Sequence, residues 1–233
     1  MIPQEYLPVI RHVADKVKEI YSKARLPPSH GFDHVARVVA LSYYIGVKEG
    51  LSQRELALLL IASYLHDIGM AVKGKKKNHA MVSAEYAESI LKSLLKEDDL
   101  RLILKAIREH SWERDAKPSS IISGILQDAD RLDAIGAIGI ARVFVFSGYS
   151  NREICCYNDP FAAKRGLDDE KYAVDHFYKK LLLLPERMNT GTGRSLARNR
   201  ARTMRRFLVD LRDELELVLK ADRDVRKMLI GPE

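Results

Sequence analysis

Histidine and aspartate side chains recur in the first 130 residues in a pattern that suits metal binding. In chain order they are His34, His66, Asp67, His79, His110 and Asp130. Imidazole nitrogens and carboxylate oxygens are ligands for borderline and hard divalent cations. The set contains no cysteine, which argues against a closed structural zinc site and favours an open site that keeps water ligands.

The His66-Asp67 pair ends a stretch that reads as a buried helix. Ser52 and Glu55 have the spacing of a capping box, so we expect the helix to begin near Ser52. The residues that follow are apolar on nearly every face, and Gly69 is a natural stop. A buried imidazole and carboxylate are costly unless a partner such as a cation binds both. A lone His-Asp dipeptide is more often an ordinary helix end, so the other residues of the set decide the interpretation.

Apolar residues repeat at helical spacing along most of the chain. We predict helices over residues 3–25, 34 to 46–50, 52–69, 79–95, 98–110, from 121 to beyond 132, 170–184 and 194–220. The segment from 147 to 169 is rich in Gly, Pro and polar residues, which predicts an irregular, lid-like insert. The expected fold is therefore one all-α domain over residues 1–233, with a core at about 29–145 and C-terminal helices at about 170–220.

Composition bounds the class of protein. The chain has 233 residues, of which 46% are hydrophobic and 30% charged, as in soluble globular proteins. Its formal net charge of +7 favours anionic partners such as phosphates, nucleotides or nucleic acid. Adjacent Cys155 and Cys156 cannot form a disulfide framework, and no apolar run reaches membrane-spanning length. With no secretion signal recognised, we expect a cytoplasmic protein that does not bind membranes.

Three local strings resemble the HD-domain superfamily of metal-dependent phosphohydrolases. They are Ser-His-Gly-Phe-Asp-His-Val-Ala-Arg-Val from Ser29, Leu-His-Asp-Ile-Gly from Leu65, and Leu-Gln-Asp-Ala-Asp-Arg-Leu-Asp-Ala-Ile-Gly-Ala-Ile-Gly-Ile-Ala-Arg from Leu126. Asp159-Pro-Phe, Asp175-His-Phe-Tyr-Lys-Lys-Leu-Leu and the stretch 188–194 are similar to a small bacterial and archaeal subgroup of HD-domain hydrolases. The resemblance covers about residues 29–215 and implies an all-α HD helical bundle.

By that resemblance, the metal ligands are His34, His66, Asp67 and Asp130. In family members with two metals, two further histidines hold the second ion, and Asp67 would then bridge; His79 and His110 have permissive spacing for this role. Alternatively one ion is bound, and these two histidines bind phosphate or act as acid and base. We favour one ion at this stage, and its identity is open among Mn, Ni, Co, Fe, Zn and Mg.

A divalent metal lowers the pKa of bound water and polarises a phosphoryl oxygen, which implies hydrolysis of a phosphate by metal-activated water. Candidate catalytic residues are Asp67, His79 and His110. Lys73 and Lys75 belong to a lysine-rich loop that could bring positive charge to a polyphosphate, although a solvated surface loop is an equal alternative. Arg131 is a further candidate for substrate binding.

The resemblance implies action on a small phosphorylated substrate, with nucleoside triphosphate pyrophosphohydrolysis favoured. Nucleotide monophosphatase or cyclic-nucleotide phosphodiesterase activity is the alternative. A non-catalytic module that binds nucleotide or nucleic acid is a further hypothesis, since Arg198, Arg202 and Arg206 share one predicted helix face. Acidic neighbours and the lack of interleaved aromatics make nucleic acid less favoured, and we expect a monomer or homodimer.

Overall fold

The computed structural model describes residues 2–74, 78–111 and 116–230. Its α-helices are α1 (Tyr6–Lys23), α2 (Phe32–Lys48), α3 (Gln53–Leu65), α4 (Ile68–Lys73), α5 (His79–Leu91), α6 (Glu97–Glu109), α7 (Ile121–Asp133), α8 (Gly136–Tyr149), α9 (Ala173–Lys179) and α10 (Gly191–Ile230). Short 3₁₀ segments cover Pro28–His30 and Leu181–Arg187. Within these ranges the only β pairing is an isolated bridge between Glu153 and Tyr172. The all-α prediction is confirmed.

Helix α3 is the centre of the bundle. Ser52 Oγ accepts a hydrogen bond from the Glu55 amide, and a Glu55 carboxylate oxygen accepts one from the Ser52 amide at 2.9 Å, which completes the predicted capping box. Nine of the 13 residues of α3 are buried. Helices α1, α2, α6 and α7 pack around it. A helix enclosed on all sides by other helices is a rigid base for the residues at its end.

The predicted helix over 52–69 is two helices in the structure. Helix α3 ends at Leu65, His66 and Asp67 form a turn, and α4 begins at Ile68. The prediction that Gly69 stops the helix is wrong, because Gly69 lies inside α4. A Cβ atom at Gly69 would lie 2.6 Å from the His79 carbonyl oxygen and 2.8 Å from the Ser83 amide nitrogen. Glycine is therefore needed for the close approach of α4 to α5, which brings His79 towards Asp67.

Residues Gln53–Lys73 together have the length and mean hydropathy, 1.5, that a membrane span would have. However, 78% of this apolar window is buried inside the protein. Its apolar surface is already covered by neighbouring helices, as expected for a core helix of a globular domain.

The predicted helix from 121 onwards also breaks. Helix α7 ends at Asp133, and α8 leaves it at a bend of 67°. Gly136, at the start of α8, has φ of +80°, a backbone conformation that favours glycine. The bend turns α8 back across the end of α7, so that Arg142 of α8 reaches Asp133.

The C-terminal part differs from the prediction in the bounds of its helices. The predicted helix over 170–184 is the short α9 followed by the 3₁₀ segment, whereas α10 begins at Gly191 and extends to Ile230. Helix α5 ends at Leu91, four residues before the predicted end at 95. The predicted irregular insert is observed after Tyr149.

Two buried carboxylates hold this part in place, one by joining it to the core and the other by joining α9 to the insert. Asp128 of α7 accepts hydrogen bonds from the backbone amides of Asn189 and Thr190, each at 2.8 Å. Asp175 of α9 pairs with both terminal nitrogens of Arg165 in the insert. A buried charge is stable only when paired in this way, so these contacts specify where α9 and the insert lie.

We predict that Gly69→Ala destabilises the protein by about 2 kcal/mol, because a methyl group has no space between α4 and α5. Chemical denaturation followed by circular dichroism measures the change. Gly148→Ala in α8 is the matched control, since a Cβ atom there meets no atom within 4 Å. The control should unfold at the same or a slightly higher denaturant concentration. An equal effect of both substitutions would contradict the close-approach argument.

Candidate metal centre and adjoining cavity

The predicted metal ligands lie at helix ends that converge on one buried point. His34 is in the first turn of α2, His79 begins α5, His110 follows the last residue of α6, and Asp130 is near the end of α7. His66 and Asp67 occupy the turn between α3 and α4. All but Asp130 are buried, and the Asp130 side chain is 27% exposed. The structure thus brings together all of the histidines and aspartates proposed as ligands or catalysts.

The Asp67 carboxylate lies between two pairs of histidines. Its Oδ2 atom is 3.5 Å from His34 Nε2 and 3.7 Å from His66 Nε2. Its Oδ1 atom is 3.3 Å from His79 Nε2 and 3.2 Å from His110 Nε2. Each carboxylate oxygen therefore completes a separate group of three metal-competent atoms, and Asp67 is shared by both groups.

Contacts behind the imidazoles orient their inner nitrogens. The Nδ1 atom of His34 contacts Asp133 Oδ2 at 2.8 Å, that of His66 the Ser63 carbonyl at 2.8 Å, and that of His110 the Ile107 carbonyl at 2.7 Å. Because these oxygens are acceptors, the neutral ring carries its proton on Nδ1 and presents a lone pair on Nε2. Such outer contacts are typical of metal-ligating histidines.

The inner nitrogens are close enough to require a cation. Nε2 of His34 lies 3.3 Å from Nε2 of His66, and Nε2 of His79 lies 3.3 Å from Nε2 of His110. Two lone pairs facing each other in a buried site repel unless a proton or a metal ion lies between them. A mixed histidine and carboxylate set without thiolate suits a divalent ion in an open site. The residues present therefore fit a metal centre.

The charge states support the same conclusion. Burial lowers the pKa of His66 to about 4, so this imidazole is neutral near neutral pH. Burial acts to raise the pKa of Asp67, but His66, His110 and His34 outweigh it and hold that pKa well below its usual range. The pKa of Asp130 is also lowered, because His34 and His66 outweigh burial. The carboxylates are ionised and attract positive charge.

The pKa values of His34 and His110 also show that the carboxylates attract positive charge to the site. Burial acts to lower both values, but hydrogen bonds to Asp133 and Asp67 for His34, and to Asp67 for His110, raise them overall. A field that holds a proton on these rings also favours a divalent cation in its place. Metal binding and protonation therefore compete at the same nitrogens.

Asp133 is the support behind His34. It is 1% exposed and also accepts hydrogen bonds from Arg37 Nε at 2.6 Å and Arg142 NH1 at 2.8 Å. His34 and the two arginines hold its pKa below the usual range in spite of burial. The sequence pattern placed Asp133 one turn from Asp130, and the structure places it against the outer nitrogen of His34.

The metal centre opens into a larger cavity. A cavity of about 110 Å³ is lined by His34, Asp67, His79 and Asp130 together with other residues. A second cavity of about 240 Å³ shares four lining residues with it: His30, Ala134, Arg142 and Lys180. The shared residues place two cationic side chains beside the metal centre.

Comparison with known proteins agrees with this geometry. The HD domain family model matches residues 31–135, which include the complete predicted ligand set. The protein YpgQ of Bacillus subtilis is 37% identical over 190 residues, covering 80% of this chain and 84% of YpgQ. The chain belongs to the HD-domain superfamily.

Solved structures extend the HD likeness beyond the family model. A crystal structure from Lactobacillus plantarum has a TM-score of 0.72 and 29% identity, covering 93% of this chain and 100% of that one. An HD-superfamily hydrolase from Bacillus thuringiensis has a TM-score of 0.70 and 28% identity, covering 91% and 98%. The structure of YpgQ in complex with ADP has a TM-score of 0.67 and 29% identity in that alignment, covering 91% and 97%. The C-terminal helices are therefore part of a shared architecture.

The candidate substrate-binding residues lie elsewhere. Lys73 is exposed at the end of α4, and Lys75 is outside the described residues. Arg131 donates a hydrogen bond to the Arg187 carbonyl. Successive helical residues diverge by about 100°, so Arg131 points away from the centre that Asp130 faces. Among the described residues that line the two cavities, neither Lys73 nor Arg131 is included.

Sequence reasoning missed the residues that line the adjoining cavity. Arg142 and Lys180 lie beside the metal centre, and Phe146, Asp169 and His176 line the outer space. Arg142 ends the third HD string, and Lys180 lies in the Asp175-His-Phe-Tyr-Lys-Lys string, so both were within the similar segments. Their separation along the chain gave no sign that they share a cavity with His34.

We predict that Asp133→Asn weakens metal binding by 10–100-fold, since it removes the charge that orients and polarises His34. Competition with a fluorescent chelator, or calorimetric titration of the metal-free protein, measures the affinity. Asp213→Asn on the exposed side of α10 is the control and should bind metal as the unmodified protein does. If a folded Asp133→Asn protein binds metal with unchanged affinity, Asp133 does not support the metal site.

Proposed function

We propose that this HD-domain protein is a metal-dependent phosphohydrolase of nucleotides, with nucleoside triphosphate pyrophosphohydrolysis as the favoured reaction. The observation that carries the proposal is the Asp67 carboxylate between two histidine pairs, next to a cavity that contains Arg142 and Lys180. Ligand atoms for divalent ions and cations for phosphate oxygens are thus combined in one site. This combination suits hydrolysis of a phosphate ester or anhydride by metal-activated water.

The ligand arrangement favours two ions over one. His34, His66 and Asp67, with Asp130 Oδ1 3.6 Å from His34 Nε2, would hold one ion. Asp67, His79 and His110 would hold the other. The sequence favoured a single ion, but each group has two buried histidines and one oxygen of the Asp67 carboxylate. When bound, divalent ions lower the pKa of coordinated water and polarise phosphoryl oxygens.

In this arrangement His79 and His110 contribute to catalysis as ligands. Asp67 belongs to both groups, so it would hold both ions and offer its negative charge to each of them. If a single ion is bound instead, His79 and His110 are available as phosphate ligands or as acid and base. Metal stoichiometry separates these alternatives.

Arg142 and Lys180 are the residues that we expect to bind phosphate. The Arg142 guanidinium is held by Asp133, and its Nε donates to the Ser29 carbonyl at 3.0 Å. A cation fixed in this way need not reorganise when negative charge develops on the substrate, which is the basis of electrostatic catalysis. Lys180 lines both cavities and adds a second positive charge.

Support for a nucleotide comes from a relative and from the size of the cavity. YpgQ, which resembles this chain over most of its length, has been crystallised with ADP. The adjoining cavity of about 240 Å³ provides space for an organic group next to the phosphate-binding residues. The net charge of +7 is consistent with an anionic substrate.

We expect the purified protein with manganese to convert a nucleoside triphosphate to the monophosphate and pyrophosphate. Chromatography of the nucleotides and a pyrophosphate assay identify the products across a panel of metals and substrates. Release of orthophosphate from monophosphates, or ring opening of cyclic nucleotides, would instead support the alternative activities. Asp67→Asn should reduce the rate by more than about a hundredfold, since it alters both ligand groups. Asp15→Asn on the exposed surface of α1 is the control.

Metal analysis should find two ions per chain in the unmodified protein and one in His79→Gln or His110→Gln, because only one group loses a ligand. Inductively coupled plasma mass spectrometry after reconstitution and gel filtration gives the ratio. His12→Gln, an exposed histidine of α1, is the matched control and should keep two. One ion in the unmodified protein, unaffected by the His79 and His110 substitutions, would establish the single-ion alternative.

A further inference from the structure

The walls of the 240 Å³ cavity change in chemical character with distance from the metal centre. Its polar lining residues that also line the metal cavity are His30, Arg142 and Lys180, which supply positive charge or hydrogen-bond donors. Asp169, Glu170 and His176 line only the larger cavity, together with Arg152, Ser29 and Ser147. The two carboxylates there are hydrogen-bond acceptors. The cavity therefore has cations next to the metal centre and, outside it, two carboxylates that can accept hydrogen bonds from a ligand.

Asp169 and His176 form a hydrogen-bonded pair among the residues that line only the larger cavity. His176 Nδ1 contacts Asp169 Oδ2 at 2.9 Å, and Lys179 Nζ contacts the other carboxylate oxygen. Although burial acts to raise the pKa of Asp169, Lys179 and His176 lower it to about 2, so the carboxylate is ionised.

Apolar side chains also line the cavity. They include the Phe146 ring, Val143 and Leu181. The Arg152 guanidinium, which lines the same cavity, lies 5.0 Å from the centre of the Phe146 ring, and the His30 ring lies 5.5 Å from it at a steep angle. An aromatic ring and a guanidinium in one wall are suitable contacts for a flat organic group.

We propose that the carboxylates of Asp169 and Glu170, the acceptor wall of the cavity, bind the hydroxyl or amine groups of the substrate's organic part, and thereby select phosphates of a nucleoside-like group over inorganic polyphosphates. The proposal rests on the proposed function for the position of the phosphates. The phosphate chain would extend from the metal centre past Arg142 and Lys180, and the organic group would contact Phe146. Inorganic polyphosphate contains the anion but lacks the donor-bearing part, so it cannot use the acceptor wall.

The test compares two triphosphates that differ only in the organic group. The ratio of kcat/KM for ATP to that for inorganic tripolyphosphate is measured with manganese. Asp169→Asn and Glu170→Gln should each lower this ratio about tenfold, as expected when a hydrogen bond to a charged group is lost. Glu170 is exposed, so its substitution does not threaten the fold. Glu153→Gln, an exposed acid of the same insert that is absent from the lining, should keep the unmodified ratio.

A binding measurement separates this proposal from the proposed function. The dissociation constants of α,β-methylene ADP and methylenediphosphonate, which differ by adenosine, are compared by calorimetry with the metal-loaded protein. The nucleotide analogue should bind more tightly, and Asp169→Asn and Glu170→Gln should reduce the difference about tenfold. If both ratios are the same in all variants while Asp67→Asn abolishes hydrolysis, the acceptor wall has no role and the proposed function stands. If binding shows the expected difference but no phosphate is hydrolysed with any metal, the proposed function fails and the acceptor wall stands.

Discussion

The carboxylate of Asp67 is shared by four imidazoles, and this contact constrains the whole HD core. An ionised carboxylate loses its hydration when it is buried, so partners must replace the water that surrounded it. His34, His66, His79 and His110 come from different helices or from the turn beside Asp67. To bring their Nε2 atoms within 3.2–3.7 Å of one carboxylate, α2, α3, α5 and α6 must end or begin at one point. The bundle is therefore organised around its polar centre as much as around its apolar core.

Breaks between helices are the means by which this convergence is reached. The turn at His66-Asp67 lets both side chains reach the centre from the end of a rigid helix, and Gly69 lets α5 approach close behind it. The bend after Asp133 has the same effect on the other side, because it brings Arg142 against the carboxylate that supports His34. Continuous helices would have been simpler to form, but their side chains would point outwards at successive angles of about 100°. The helices are therefore interrupted at the positions where the ligands must meet.

The C-terminal part completes the site in a different way. It supplies none of the predicted ligands, yet α9 and the adjacent turn contribute His176 and Lys180 to the cavity beside the metal centre. Asp128 and Asp175, both buried and paired, determine where these elements lie. The HD core thus provides metal-binding chemistry, whereas the C-terminal helices form walls that can select a substrate.

The sequence by itself was sufficient for the all-α class, the capping box at Ser52 and the set of metal-competent residues. These features depend on local spacing, on residue type and on short strings that resemble a known family, and the amino-acid sequence contains all of this information. It did not predict that α3 stops at Leu65 or that α7 stops at Asp133, since apolar residues continue on both sides of each break. It also proposed Arg131 as a substrate residue, whereas Arg131 donates a hydrogen bond to the Arg187 carbonyl and lines neither cavity. Only the tertiary structure placed Lys180 beside the metal centre and Asp169 and His176 in the adjoining cavity, and only it divided the ligands into two groups around Asp67. Those relations are distances between residues far apart in the chain, and packing between helices decides them.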